Sequence, residues 1–399
     1  MKIVALETLR LEEFPNLLWL QIVTDRGLIG LGESFFVVAP TEAWLHANAA
    51  PLLLGQDPRR VEALSRTLRL GYVGYASSGA EMRGASAVDM ALWDILGQIA
   101  GMPIHQLLGG LGRERIRVYN TCAGYRYVRN RVGQRTDNWG LDRAEGPYED
   151  LDAFLNRADE LALSLLEQGI TAMKIWPFDF AAEATGGLDI SPGELDRALE
   201  PFRKIRRAAG ERMDIMVELH ALWTLPAARK IVAAVEPFKP YWIEDPVRAN
   251  NLDAWAQLAG ETRVPLCGSE TLATRFSFRE AMAKRAIGIV MPDIAWCGGI
   301  TEGKAIAAMA EAHHLPFAPH DCTGPLGLIS GLHLSLNAPN GLIQETVRAF
   351  YAGWYKELVT ELPRIEGGFA YPMTGAGLGT KLIPDLWKRK DATVRCSAA

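Results

Sequence analysis

Three apolar runs decide the fold: Ile215-Met216-Val217-Glu218-Leu219-His220, Tyr241-Trp242-Ile243-Glu244-Asp245 and Pro265-Leu266-Cys267-Gly268-Ser269-Glu270. Each is short and β-rich and carries a glutamate at or near its end. Those glutamates recur at intervals of 26 residues, about what one strand, one helix and two short loops require. The pattern extends outward on both sides. IRVYNTC (116–122) and AMKIW (172–176) precede it; GIVMPD (288–293), PFAPH (316–320) and GLIQE (341–345) follow. The polar residue near the strand end falls at Lys174, Glu218, Glu244, Glu270, Asp293, His320 and Glu345, with intervals of 26, 26, 23, 27 and 25 after Glu218. Helical runs fill the gaps: LPAARKIVAAVEPF, NLDAWAQLAGE, FSFREAMAKRA and TEGKAIAAMAEAHH. Eight such units closing on themselves predict an α/β fold, a (β/α)8 barrel over residues 116–345.

Two insertions interrupt the rhythm, at 127–150 and 178–194. The second, with DFAAEATGGLDISPGE, is read as a loop and accounts for the interval of 44 between Lys174 and Glu218. Both follow strands, so both belong to the face where barrel active sites form. The first 110 or so residues read differently. KIVALETLRL, LLWLQIVTD and LIGLGESFF alternate apolar and polar residues, with a turn at Asp25-Arg26-Gly27, and predict an antiparallel meander. Helices are expected from about Thr41 to Ala100. The clearest is GASAVDMALWDILGQIAG, with Ala87, Met90, Ala91, Leu92 and Ile95 on one face and a stop at Gly101-Met102-Pro103. The irregular tail after Glu345 is expected to pack back on this unit. The division is therefore a capping domain of 1–115, completed by 346–399, over a catalytic barrel of 116–345.

Composition excludes several classes. With 42 basic and 47 acidic side chains the net charge is −5, against nucleic acid as the main partner. No run of about 18 apolar residues occurs to span a bilayer, and acidic residues stand too early for a signal peptide. Five scattered cysteines without a CxxC pair fit a reducing, cytoplasmic setting.

Three glutamates ending consecutive strands about 4.8 Å apart can converge on one point. Singly, each would read as a strand cap or an arginine partner. Together they would repel, and a divalent cation preferring hard oxygen donors, Mg²⁺ by default, relieves the repulsion. Strand alternation turns His220 toward the same side as Glu218, making it an acid or base beside the metal. Asp293 beside His320 reads as a general base with its orienter. Glu345 suits a hydrogen bond to a substrate carboxylate or enediolate oxygen, and Lys174 supplies positive charge for the same anion. His313, His314 and His333 read as structural. Cys322 is expected to point away from His320. Trp19, Trp176 and Trp223 fall near the expected site. Arg126, Arg129, Arg131 and Arg135 suit a second carboxylate or a solvated basic loop.

At these residues the sequence resembles the enolase superfamily, in its mandelate racemase and muconate lactonizing branch. The helix run GASAVDMALWDILGQIAGMPIHQLLGG and the Glu-Asp-Pro of WIEDP carry the likeness, which covers nearly the whole chain. The resemblance implies a capped, modified barrel. It implies Mg²⁺ on Glu218, Glu244 and Glu270, and removal of a proton alpha to a carboxylate. Within the branch, His220 and the His320–Asp293 pair are most similar to the acid-sugar dehydratases of galactonate type, which implies His320 as base, His220 as acid and a 2-keto-3-deoxy product. Two positions depart: Glu218 stands where that subgroup has Asp, and the lysine pair of the racemases is reduced to Lys174-Ile175-Trp176. A racemase, epimerase or cycloisomerase using the same enediolate is one alternative, and a non-catalytic sugar-acid binder a second. A homo-oligomer is expected from the resemblance alone.

Overall fold

The computed structural model describes residues 1–70, 78–142 and 144–399. Part of the expected helical region (71–77) and Arg143 of the first insertion therefore lie outside the described residues. The chain opens with the expected meander: β1 (Ile3–Leu11), β2 (Leu17–Thr24) and β3 (Ile29–Phe35) pair antiparallel. The turn between β2 and β3 places Gly27 at φ 74°, a conformation glycine enters at little steric cost. The long helix Ala80–Ala100 lies on this sheet and stops at Gly101, φ 66°. Its contact is backbone-close. A Cβ on Gly32 would stand 1.9 Å from the Ala87 carbonyl oxygen, so only glycine fits there.

That helix is buried on more than the one face its apolar stripe marks. Asp89 and Asp94 are also covered: Asp89 packs on the barrel, and Asp94 accepts from the Leu31 amide of β3 and the Leu378 amide of the tail. Thr301 Oγ1 donates to Asp89 Oδ1 at 2.6 Å, and Trp93 Nε1 donates to Thr301 Oγ1 at 2.9 Å.

The barrel strands are β4 (Ile116–Thr121), β5 (Ala172–Ile175), β6 (Asp214–Glu218), β7 (Trp242–Glu244), β8 (Leu266–Gly268), β9 (Ile289–Val290) and β10 (Gln344–Thr346), with β10 parallel to β4. Of the eight expected runs, PFAPH forms no continuous strand. Phe317 bridges Val290 and Gly341, and His320 bridges Asp293. Pro316 and Pro319 explain this, since proline has no N–H to donate to a ladder. The interior is filled by Tyr119, Met216, Trp242, Cys267 and Met291, among others, so the barrel is a packed core rather than a pore.

The second insertion is not simply a loop. Asp179–Thr185 is helical, ended by Gly186 at φ 64°. Ser191 then opens the helix Pro192–Ala209 with a capping box to Glu194. After β10, the tail forms a short hairpin, β11 (Ile365–Glu366) and β12 (Phe369–Ala370), whose second strand pairs with the start of β4. It ends in β13 (Ala392–Ala398), which adds to β1 antiparallel. The two ends of the chain thus share one sheet.

Candidate active site

The strand ends converge as the spacing requires. Glu218 closes β6 and Glu244 closes β7 in direct register, and Glu270 follows β8 by two residues. One carboxylate oxygen from each lies within 4.8 Å of the others, and none of the three oxygens belongs to an exposed residue. No arginine pairs with them among the described residues. Lys174 Nζ, from β5, sits 2.6 Å from Glu244, 2.8 Å from Glu345 and 3.6 Å from Glu218. Thr121 Oγ1 and the Asp321 amide donate to Glu345 as well.

Burial governs the charge states. It pushes Glu218 up to about 7. Burial and then the neighbouring Glu218 push Glu244 well above the usual carboxylate range. Burial also opposes the Lys174 charge, but Glu244, Glu345 and Glu218 outweigh it and hold the ammonium well above its ordinary value. Two carboxyl groups resisting ionisation mark a site short of positive charge.

The donor set fits a hard divalent cation. Glu218 Oε2 is buried without a hydrogen-bond partner, the Lys174 ammonium standing 3.6 Å away, and such an ion would satisfy it.

Two histidines line the cavity, each held by its own carboxylate. His320 Nδ1 lies 2.7 Å from Asp293 Oδ2, and its Nε2 lies 2.7 Å from Glu270 Oε2. Burial opposes protonation of His320, but Glu270, Glu345 and Asp293 together raise it well above the ordinary histidine value. Glu270 is correspondingly held down at about 2: burial opposes this, and His320 and His220 outweigh it.

His220 reaches the cavity by a route other than strand alternation. The strand ends at Glu218, and His220 and Ala221 adopt left-handed backbone at φ 50° and 53°. Its amide donates to Glu218 Oε1. Its Nδ1 lies 2.7 Å from Asp179 Oδ2. Asp179, in the helix of the second insertion, carries no sequence signal beyond being an acid near a strand end.

His220, His320, Lys174 and Glu270 line a common, tightly closed cavity. The rest of its wall is largely aromatic: Phe36, Tyr127, Trp176 and Trp296, with Thr121, Gln134 and Cys322. Cys322 therefore shares the cavity with His320, against the expectation that the two point apart. Burial pushes its thiol well above the ordinary value, which leaves it protonated and poorly nucleophilic. Trp176 stands in the wall, whereas Trp19, on β2, is buried and donates to Glu33 at 3.0 Å; Trp223 is buried and not among the lining residues. The insertion arginines do not line the cavity: Arg126 pairs with Glu145, Arg129 with Glu13 and Arg131 with Asp137.

Among the structural histidines, His333 is fully buried in the helix Pro325–Asn337, with Nδ1 3.2 Å from His105 Nδ1. His313 caps the C-terminus of the helix Gly299–Ala312.

A capped barrel with three carboxylates at consecutive strand ends and a His–Asp pair opposite defines an enolase-type architecture. The Enolase C-terminal domain-like family model matches residues 157–386, and the Mandelate racemase / muconate lactonizing enzyme N-terminal domain model matches 8–109. D-galactonate dehydratase of Ralstonia nicotianae is 32% identical over 394 residues, covering 96% of this chain and 92% of that protein. The Pectobacterium atrosepticum D-galactonate dehydratase is also 32% identical, covering 97% and 93%. Among solved structures, an enolase of the mandelate racemase subgroup from Agrobacterium tumefaciens is 48% identical with a TM-score of 0.89, covering 100% of this chain and 99% of that one. An enolase protein from Sargasso Sea environmental sequence is 44% identical, with the same TM-score and coverage. The chain belongs to the mandelate racemase and muconate lactonizing branch of the enolase superfamily.

Proposed function

We propose that the protein is a Mg²⁺-dependent hydro-lyase that dehydrates an acid sugar to a 2-keto-3-deoxy acid. The observation that carries this is the pair of histidines, each held through Nδ1 by its own carboxylate, sharing one cavity with Glu270 of the three-glutamate cluster. The likeness to the D-galactonate dehydratases supports the same reading.

Glu218, Glu244 and Glu270 would hold the cation. When bound, it supplies charge stabilisation for the substrate carboxylate as the α-proton leaves, worth several kcal/mol. The chain's own groups do the rest. Asp293 fixes His320 with Nδ1–H donating, and Nε2, which lies 2.7 Å from Glu270 Oε2, takes the α-proton once that contact and its proton are given up. Lys174, neutralised in part by Glu244 and Glu345, offers positive charge to the substrate anion. Glu345, tied to Thr121 and the Asp321 amide, is fixed in orientation beside it. Asp179 fixes His220 in the same manner, and His220 gives its proton to the β-hydroxyl, which departs as water. The electron pair of the broken C–H bond forms the enol double bond, and ketonisation completes the product.

A second reading, racemisation, epimerisation or cycloisomerisation, is favoured by one feature: the Asp179 pairing equips His220 as a base too, so both faces of an α-carbon have one. The division into a cap of 1–115 with 346–399 and a barrel of 116–345 belongs to the same proposal, supported by β13 joining β1. So do the cytoplasmic setting, supported by five free cysteines, and assembly as a homo-oligomer. No helix among the described residues is long and apolar enough to cross a membrane. The test is keto-acid formation across aldonic and aldaric acids, with Mg²⁺ and with chelator. A keto product that requires the metal supports dehydration; conversion of any acid to its epimer without keto product supports the second reading.

A further inference from the structure

Two adjacent residues beside the cavity hold a backbone conformation unusual for L-amino acids. Phe36 and Val37 sit at φ 59° and 50°, and Val37 is β-branched, which makes the left-handed region costlier still. Such strain persists only where the surroundings over-determine it. Here four contacts do so. The Phe36 amide donates to the Asn16 carbonyl at 2.8 Å. The Phe36 ring packs on Phe35 at 4.5 Å and on Trp296 at 6.2 Å. Arg83 Nη1 donates to the Phe35 carbonyl at 2.7 Å.

Arg83 makes a second contact from the same guanidinium. Its Cζ lies 3.9 Å above the Trp296 ring, and Trp296 lies 5.4 Å from the His320 ring. The helix that carries Arg83 is itself anchored to the barrel through Asp89 and Trp93 on Thr301. One cap residue on a fixed base therefore braces both the turn that presents Phe36 and the indole that backs His320. Phe36 also has a special place in the cavity. With Gln134, it lines both the catalytic cavity and the outer groove formed by Phe14, Pro15, Val38 and Val132. It stands at the junction, where the end of a substrate remote from its carboxylate would meet the wall.

We infer that Arg83 is a positioning residue that fixes, through Phe36 and Trp296, the wall against which the distal end of the acid substrate is selected by length. The inference rests on the dehydratase reading above. Arg83 does not line the cavity; it acts through the two aromatic residues that do.

The test compares wild-type enzyme with Arg83→Met, Arg83→Lys, Phe36→Ala and the Arg83→Met/Phe36→Ala double variant. KM and kcat are measured on aldonic acids of four, five and six carbons, with the melting temperature as a folding control. Loss of one charge-assisted hydrogen bond sets the scale at roughly tenfold or more. Arg83→Met is expected to raise KM about tenfold for the preferred acid and to flatten the ranking by length. Phe36→Ala should flatten it in the same way, and the double variant should fall well short of the product of the single effects, because both residues act on one wall. Arg83→Lys, which keeps the charge but loses the planar stack, should fall between. A purely structural role would lower kcat/KM for all lengths in proportion. An unchanged ranking in folded Arg83→Met, or in Arg83→Lys if the methionine variant does not fold, overturns the inference, as does full multiplication of effects in the double variant. Should wild-type enzyme form no keto acid, the dehydratase reading fails separately, and the same ranking is read from α-deuterium exchange.

Discussion

Asp179→Asn separates the two halves of the proposed reaction. The substitution preserves size and a polar contact at His220 Nδ1 but removes the negative charge 2.7 Å from it. Unit charges at that separation attract by about 6 kcal/mol at an effective dielectric of 20, an upper bound because burial of both groups opposes ionisation. A hydrogen bond to a charged partner is worth about 1.5–3 kcal/mol net, which corresponds to roughly 10- to 150-fold in rate. Burial opposes the charge on His220, but Asp179 outweighs it and raises the histidine above its ordinary value. Without the carboxylate, His220 is a less populated and misoriented acid. His320 keeps Asp293, so α-proton removal continues. Keto-acid formation should therefore fall by about 10- to 150-fold. Deuterium entry at the α-carbon of unreacted substrate in D₂O should persist, or increase as stalled enediolate is reprotonated. Proton NMR reads exchange and a carbonyl-trapping assay reads product in the same tube. Parallel loss of exchange and elimination, or no loss of either, would refute the assignment of His220 as the acid and Asp179 as its orienter.

Three further outcomes follow from the same geometry. His320→Asn should abolish both exchange and turnover while calorimetric Mg²⁺ binding survives; a variant that turns over normally contradicts His320 as base. Glu244→Gln should weaken Mg²⁺ binding about tenfold or more by calorimetry, since it replaces one of the three clustered carboxyl groups with an amide that cannot ionise on binding the cation. Glu33 tests stability rather than catalysis. It is buried on β3, accepting from Trp19 and from the Gly327 amide, and burial pushes it up to about 8 from an ordinary 4.5. A raised folded-state value means that its contribution is fully present below pH 4.5 and is lost as pH rises through about 8. Glu33→Gln should flatten this loss, gaining up to a few kcal/mol over wild type near pH 9 in urea melts; identical pH profiles would show that Glu33 ionises freely.

The barrel was legible because each acid or histidine near a strand end interrupts an apolar run, and because the repeat between Glu218 and Glu345 is nearly constant. PFAPH had the right place in that rhythm, but its two prolines deny the hydrogen bonds of a full strand. His220 illustrates a sounder destination than route: a period-2 argument aimed it at the cavity, while a left-handed turn takes it there. Asp179 and Arg83 were out of reach of pattern reading. One lies in an insertion that read as loop, and the other meets Trp296 only through the docking of a distant helix. The breadth of burial on Ala80–Ala100 was hidden for the same reason, since periodicity reports one packed face and not a second partner. The insertion arginines suggested an anion site by composition, whereas three of them are committed to nearby carboxylates.

The central claim is that one cavity removes an α-proton and expels a β-hydroxyl. It is tested most directly by incubating the Mg²⁺-loaded protein with single aldonic acids in D₂O and following substrate and product by NMR. The account predicts a 2-keto-3-deoxy product carrying deuterium at C3, formed only with the metal. Deuterium at the α-carbon of recovered acid or its epimer, with no keto product from any acid tested, would contradict it.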